Sequence, residues 1–290
     1  MVQFPIWRSM LFVPAHLDKF TDKAHTRGAQ AYILDLEDSV PVELKATARA
    51  KVVPAANLIN QSGAAILVRI NDSPRLAVRD LESVIDTAVR AIVLPKISAA
   101  ANVQAISSLI DELEIEKGIP KGHTLMIAQI ESADALPRLD EIAQSSTRLM
   151  AMILGSEDFS ASVGMAPIPE ALFAPNQQVL MACRRANILP LGFPASIADY
   201  SDLNRFRSTI ELARKLGFVG AFCIHPSQVP ILNDAFQPTA EEINEAREII
   251  AAYERGREAG KAAVQHKGTM IDPPVVARAQ EILLSQTTTN

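Results

Sequence analysis

Glu131 and Asp158 carry the chemistry that is easiest to read from this chain. Glu131 closes the short apolar run Thr124–Glu131, and Asp158 follows the next such run, Leu149–Gly155. If consecutive runs are neighbouring strands of a parallel sheet, both carboxylates reach the same rim. Two carboxylates at one polar mouth suit an oxygen-loving cation such as Mg2+. That ion takes one or two protein carboxylates and leaves its other positions to water and substrate. The competing reading is that each acid only caps the helix after it. Arg69 ends a third run, Ala64–Asn71. At the mouth, its planar fork can hold a carboxylate through two hydrogen bonds. Otherwise it pairs internally with Glu37 or Asp38. The stretch Asp35-Leu36-Glu37-Asp38 reads as support, orienting Arg69 or the waters of a metal.

Other chemically capable residues read as bland. Lys96 sits beside several acids and reads as a held cation, not a Schiff-base amine. His225 reads as the terminus of a tight turn before Pro226. His16, His25, His123 and His266 have no HxxxH or HExxH partner. Cys183 and Cys223 read as buried packing, since no CxxC and no Cys/His cluster accompanies them. Lys19, Lys23 and Arg27 recur along the first expected helix. They read as a solvated face, with phosphate contact as the alternative.

These residues need elements to position them. Eight short runs are apolar on both faces and end in a polar residue, Gly or Pro: Arg8–Pro14, Ala31–Asp38, Ala64–Asn71, Ala91–Lys96, Thr124–Glu131, Leu149–Gly155, Leu189–Ala195 and Ala221–Pro226. Parallel strands covered on both sides read this way. The intervening segments repeat apolar residues at helical spacing, as in Val78–Val89 and Ser201–Leu216, where Gly217 is an expected C-cap. Eight such units predict a (β/α)8 TIM barrel with a C-terminal helical extension. The rival is a doubly wound open sheet, but no GxGxxG or GxxxxGK[ST] loop follows the first strand. The expected barrel domain spans residues 1–236 and ends on a helix at Val229–Phe236. Residues 237–290 form the extension: a helix opened by the capping box Thr239–Glu242, a loop at 267–274, a helix at Val275–Leu284 and a polar tail. Such an extension covers a barrel end or a neighbouring subunit.

Composition narrows the class. In 290 residues, 48% are hydrophobic and 21% charged, enough for a large core. Net charge is −5, which argues against a nucleic-acid partner. No apolar run approaches the roughly 20 residues of a membrane span. The N-terminus reads as mature protein without a signal peptide. The expectation is a soluble, cytoplasmic protein.

Taken together, RSMLFVP, AYILDLEDSVPVELKATAR, LVRIN, IVLPK, AQIESADAL, LGSEDFSASVG, LGFVGAFCIHPSQV, FQPTAEEI and GTMIDPP resemble the citrate lyase β subunit and malyl-CoA lyase family, within the phosphoenolpyruvate/pyruvate superfamily of barrels. The resemblance runs from Arg8 to Pro274. It implies that Glu131 and Asp158 are Mg2+ ligands, with Glu131 also at the substrate. It implies that Arg69 binds the substrate's carboxylate or carbonyl oxygen. It implies that Asp272, in the MIDPP loop, is a catalytic acid delivered into a neighbouring subunit's site within a homotrimer, or a hexamer built from trimers. The implied partners are a small 2-oxo acid and a CoA thioester. This chain departs from the family pattern at Pro14-Ala15, at Ala174–Gln178 and in LGFPASIADYSD, where the acyl group or CoA would be held.

The expected reaction is reversible aldol-type cleavage. Arg69 would stabilise the oxyanion, and Asp272 or a water on the metal would take the proton. Three readings follow: a lyase on a malyl-, citramalyl- or citryl-thioester; a metal-dependent aldolase on free 2-oxo acids without CoA; or a non-catalytic subunit of a larger lyase assembly.

Overall fold

Residues 4–258, 260 and 263–287 are described in the computed structural model of the chain. The eight apolar runs become eight strands: β1 Ser9–Pro14, β2 Ala31–Asp35, β3 Ala65–Arg69, β4 Ala91–Leu94, β5 Leu125–Ile130, β6 Leu149–Leu154, β7 Leu189–Leu191 and β8 Ala221–Cys223. They pair in parallel in the order β7-β6-β5-β4-β3-β2-β1-β8. No ladder joins β7 to β8. Pro190 in β7 has no N–H to offer one. Two backbone bonds close the ring instead: Val219 N–H donates to Pro190 O at 3.1 Å, and Gly192 N–H donates to Gly220 O at 2.9 Å. Gly220 is required there, because a Cβ would lie 2.1 Å from the Trp7 carbonyl oxygen. The result is a (β/α)8 barrel.

Helices α1 Asp18–Ala24, α2 Lys45–Asn60, α3 Pro74–Val84, α4 Ala100–Glu116 and α5 Leu139–Ala143 follow the first five strands. Two helices, α6 Ser156–Val163 and α7 Pro169–Ala186, lie between β6 and β7. After them come α8 Leu203–Leu216 and α9 Val229–Ala235. α8 is capped by the Asp202 carboxylate, and it ends on left-handed Gly217, the C-cap its sequence predicts. The helix expected at Val78–Val89 lies earlier. Pro74 starts it, and the chain leaves it at Ile85, where Asp86 closes a turn by accepting from the Ala88 N–H at 2.9 Å. α1 stops at Ala24, so Arg27 is not on a helical stripe with Lys19 and Lys23.

Inward-pointing Met10, Ile33, Leu67, Val93, Ile127, Ile153 and Phe222 belong to one buried cluster that fills the barrel. At the N-terminal ends of β5 and β6, buried Glu114 accepts from the N–H groups of Thr124 (2.7 Å) and Gly122 (2.8 Å) and from Arg148.

The chain divides into two compact units, Met1–Asp234 and Ala235–Asn290. In the second, α10 Ala240–Glu258 packs with α11 Pro273–Thr287. Its capping box is present: Thr239 N–H donates to Glu242 Oε2 at 2.8 Å, and Glu242 N–H to Thr239 Oγ1 at 3.2 Å. The expected loop contains a hairpin, β9 Val264–His266 and β10 Thr269–Ile271. Lys267 and Gly268, at φ of 48° and 81°, make its two-residue turn. The last helix is longer than the expected Val275–Leu284, and residues 288–290 of the polar tail lie outside the described residues.

Candidate active site

Strand alternation builds the site. Ile33, Leu67, Ile127 and Ile153 face the barrel interior. Two residues further along each strand, the same face carries Asp35, Arg69, Gln129 and Gly155. All four line one cavity of about 450 Å³ at the carboxyl ends of the strands. Glu131, Asp38, Glu157 and Asp158 line it too, so the structure brings Glu131, Asp158 and Arg69 together as the sequence predicts.

Arg69 is the centre of a buried charge network. Its Nε and Nη2 donate to Asp35 Oδ1 and Oδ2 at 2.7 and 2.8 Å. Its Nη1 lies 3.2 Å from Glu37 and 3.5 Å from Asp38. Its guanidinium stacks 4.7 Å over the Phe12 ring. The principal partner is therefore Asp35, ahead of the expected Glu37 and Asp38. Asp35 takes up one side of the guanidinium and Glu37 and Asp38 lie beside Nη1, so the end edge, the second Nη2 proton and what Nη1 does not give to these acids, is left for a substrate oxygen. Burial alone would lower the Arg69 pKa, but the hydrogen bond and charge of Asp35 hold it above its ordinary value. Burial likewise pushes Asp35 up, and Arg69 outweighs it, holding that carboxyl below its ordinary value.

Glu131 is 5% exposed. Its Oε2 accepts from the Lys96 N–H at 2.7 Å, and its Oε1 from Gln129 Nε2 at 2.9 Å. Lys96 has a left-handed backbone (φ 53°) that aims this N–H, a conformation uncommon outside glycine. Its ammonium is bonded to Glu37 Oε1 at 2.7 Å, which holds it charged, as expected. Gly155 makes room for Glu131: a Cβ at that position would lie 2.6 Å from Glu131 Cγ and Oε1. Burial pushes the Glu131 carboxyl up to about 7. The Lys96 N–H opposes this, and the negative charges of Asp158 and Glu37 add to it.

These residues fit a hard divalent cation. The donors are oxygens, and Gln129 Oε1 is buried beside them without a hydrogen-bond partner. The concentration of negative charge that raises Glu131 is what a cation would neutralise. Among the described residues, no group of three or more His, Cys, Asp or Glu side chains is disposed to hold a metal. A two-carboxylate site completed by water and substrate is Mg2+-like.

The sequence places Asp35 in a run that orients Arg69 but does not single it out over Glu37 and Asp38, and it gives Gln129 no role. The alternation from Ile33 and Ile127 was the available signal for both. His225 is the expected turn terminus: its Nδ1 accepts from the Ser227 N–H at 3.2 Å, and Tyr200 stacks on its ring at 4.8 Å. Asp272 belongs to the second unit, where its Oδ1 accepts from the Val275 N–H at 3.3 Å at the start of α11.

Known proteins resemble the chain along nearly its full length. Residues 8–226 match the family HpcH/HpaI aldolase/citrate lyase. The chain is 34% identical over 281 residues to the citrate lyase subunit beta of Leuconostoc mesenteroides subsp. cremoris, covering 95% of this chain and 92% of that protein. It is 34% identical over 300 residues to an L-malyl-CoA/beta-methylmalyl-CoA lyase of Cereibacter sphaeroides, covering 95% and 93%. A solved structure, the protein CitE from Mycobacterium tuberculosis in complex with magnesium, acetoacetate and coenzyme A, is similar at a TM-score of 0.75 and 27% identity, covering 96% and 97%.

Proposed function

The chain belongs to the HpcH/HpaI aldolase/citrate lyase family, and from that premise we propose a Mg2+-dependent carbon–carbon lyase that cleaves or forms a 3-hydroxy-3-carboxy acyl thioester. The products of cleavage are a 2-oxo acid and an acyl thioester, CoA being the carrier. The observation that carries this reading is the meeting of Glu131, Asp158 and Arg69 on one cavity.

Glu131 and Asp158 hold the metal, and Gln129 and the Lys96 N–H orient the Glu131 carboxylate. Bound Mg2+ supplies Lewis-acid stabilisation to the substrate's hydroxyl and carboxylate oxygens. Arg69 donates from its end edge to the oxygen that becomes the keto group. Asp35 fixes the guanidinium plane, and Phe12 supports its face. Asp272 of a neighbouring subunit takes the hydroxyl proton. The assembly is a trimer or a hexamer built from two trimers, with the barrel at 1–236 and the extension at 237–290 contacting the neighbour. The stiff Asp272-Pro273-Pro274 sequence supports a fixed carboxylate there. Among the described residues, no helix is long and apolar enough to cross a membrane. The free thiols of Cys183 and Cys223 support the cytoplasm as the compartment.

The test is a panel of malyl-, citramalyl- and citryl-CoA with purified protein and Mg2+, read as 2-oxo acid release. Cleavage of at least one, abolished by chelation and restored by Mg2+, is the expected result. Inertness toward all three, with cleavage of CoA-free 4-hydroxy-2-oxo acids, would replace this reading with the aldolase.

A further inference from the structure

The two named relatives match this chain equally well at 34% identity, although citrate carries one more carboxylate than malate. Identity therefore does not choose between a dicarboxylic and a monocarboxylic 2-oxo product. The lining of the cavity bears on that choice. Among the described residues that line it, the carboxylates Asp35, Asp38, Glu131, Glu157 and Asp158 face a single cation, Arg69. Arg69 has already given its Nε and one Nη2 proton to Asp35. A divalent cation would leave this lining net negative. The substrate carboxylate beside the carbinol finds its counter-charge in the metal and the remaining edge of Arg69. A second carboxylate finds none among the described residues of this chain that line the cavity. Asp35 Oδ2 already accepts from the Ser39 N–H at 3.1 Å, and the Ser156 hydroxyl is turned onto Glu157.

The rest of the wall is apolar. Phe12, Ile153, Ile197, Phe222 and Ile224 line it. This wall is pinned in place. Ser196 Oγ donates to Glu157 Oε1 at 2.5 Å, and Ile197 N–H donates to Ser156 Oγ at 3.3 Å. Ile224 N–H donates to Gln228 Oε1 at 3.0 Å. Phe12 and Phe222 meet edge to face, 5.3 Å apart. A carboxylate pressed against such a surface loses water and gains no partner, whereas an alkyl group gains contact.

Resting on the lyase reading above, we infer that the fourth substituent of the carbinol carbon is a short alkyl group, so that cleavage releases a 2-oxo monocarboxylate such as pyruvate and not oxaloacetate. In that step, the bond between the carbinol carbon and the carbon α to the thioester breaks. The hydroxyl gives up its proton, and its oxygen–hydrogen electron pair becomes the second bond of the new keto group. The carbon–carbon pair passes into the thioester enolate, which takes a proton at the α carbon. No electrons enter or leave.

The experiment is calorimetric titration of the full chain with pyruvate, 2-oxobutyrate and freshly prepared oxaloacetate, each with and without Mg2+. Pyruvate and 2-oxobutyrate are expected to bind at least tenfold more tightly than oxaloacetate. Ile224→Arg, at an exposed position on the apolar side, is expected to tighten oxaloacetate binding at least tenfold. Mg2+-dependent binding of oxaloacetate as tight as that of pyruvate would overturn the inference and leave the lyase reading standing. Failure of every 2-oxo acid to bind in the presence of Mg2+ would overturn both.

Discussion

Asp35 and Arg69 are register partners on adjacent strands β2 and β3, and their side chains meet in a two-pronged ion pair at the carboxyl end of the barrel. Backbone pairing therefore sets the geometry of this arginine before any loop contributes. Lysine keeps the charge but cannot reproduce a planar fork. Arg69→Lys should weaken binding of a 2-oxo acid at least roughly tenfold, or about 1.4 kcal/mol by calorimetry. Asp35→Asn should weaken it in the same direction and cost about 3 kcal/mol in urea unfolding, since a buried guanidinium loses its closest counter-charge. Unchanged ligand binding in both would make the pair purely structural.

Glu131→Ala and Asp158→Ala should each abolish Mg2+-dependent turnover while leaving the circular dichroism of the barrel intact. Gly155→Ala tests the same site without touching a charge. Gly155 has an ordinary φ of −80°, so the backbone accepts alanine. The new Cβ instead displaces the Glu131 carboxylate. Mg2+ affinity should drop at least tenfold, which a direct metal titration reads. Wild-type affinity in Gly155→Ala would show that this pose of Glu131 is not the metal-binding one.

Acid stability should trace to the opposite end of the barrel. Burial pushes Glu114 up, but Arg148 and the N–H groups of Thr124 and Gly122 outweigh it and hold the carboxyl below its ordinary 4.5. A depressed carboxylate stabilises the fold above its unfolded pKa, and that contribution is lost as pH falls through the folded value. Wild-type unfolding free energy should therefore fall more steeply below about pH 4.5 than that of Glu114→Gln. Parallel slopes in the two proteins would remove Glu114 as the source.

Sharing of the site between subunits has a complementation test. Asp272→Ala and Asp158→Ala should each be inactive. After subunit exchange, interfaces that combine an intact metal pair with an intact Asp272 should regain activity. Demonstrated exchange with no recovery, or a monomer by sedimentation, would place the proton acceptor elsewhere.

The barrel was legible because parallel strands covered on both faces must be apolar throughout, and each run also ended in a residue that breaks that pattern. The meeting of Glu131 and Asp158 on one rim was legible for the same reason, since they stand at or just beyond the points where two such runs stop. Asp35 was read only as support because its run continues into Leu36, Glu37 and Asp38, and run-level reading does not resolve which face each acid takes. Gln129, uncharged inside an apolar strand, gave no signal except its parity with Ile127. Both bounds of α3 were misplaced: Pro74 starts the helix ahead of the apolar spacing, and that spacing continues past Val84, where the turn at Asp86 ends it. The hairpin at β9 and β10 has three-residue strands, too short for alternation to register.

The two backbone bonds that close the ring between β7 and β8 make β7, β8 and β1 one continuous arc. Phe12, Ile197, Phe222 and Ile224 hang on that arc, while Asp35, Arg69, Gln129, Glu131 and Asp158 sit on the other side, from β2 to β6 and the start of α6. Most of the apolar wall and the carboxylate-rich rim thus lie on separate stretches of the chain, with Ile153 of β6 the exception. On the lyase reading, mutations in the loops directly after β7 and β8 should retune which molecule is accepted while leaving Arg69, Glu131, Asp158 and Asp272 in place. A directed library confined to residues 193–202 and 224–227 should accordingly explore new substrates at little loss of catalytic competence, whereas one spread over β2–β6 should yield mostly dead protein.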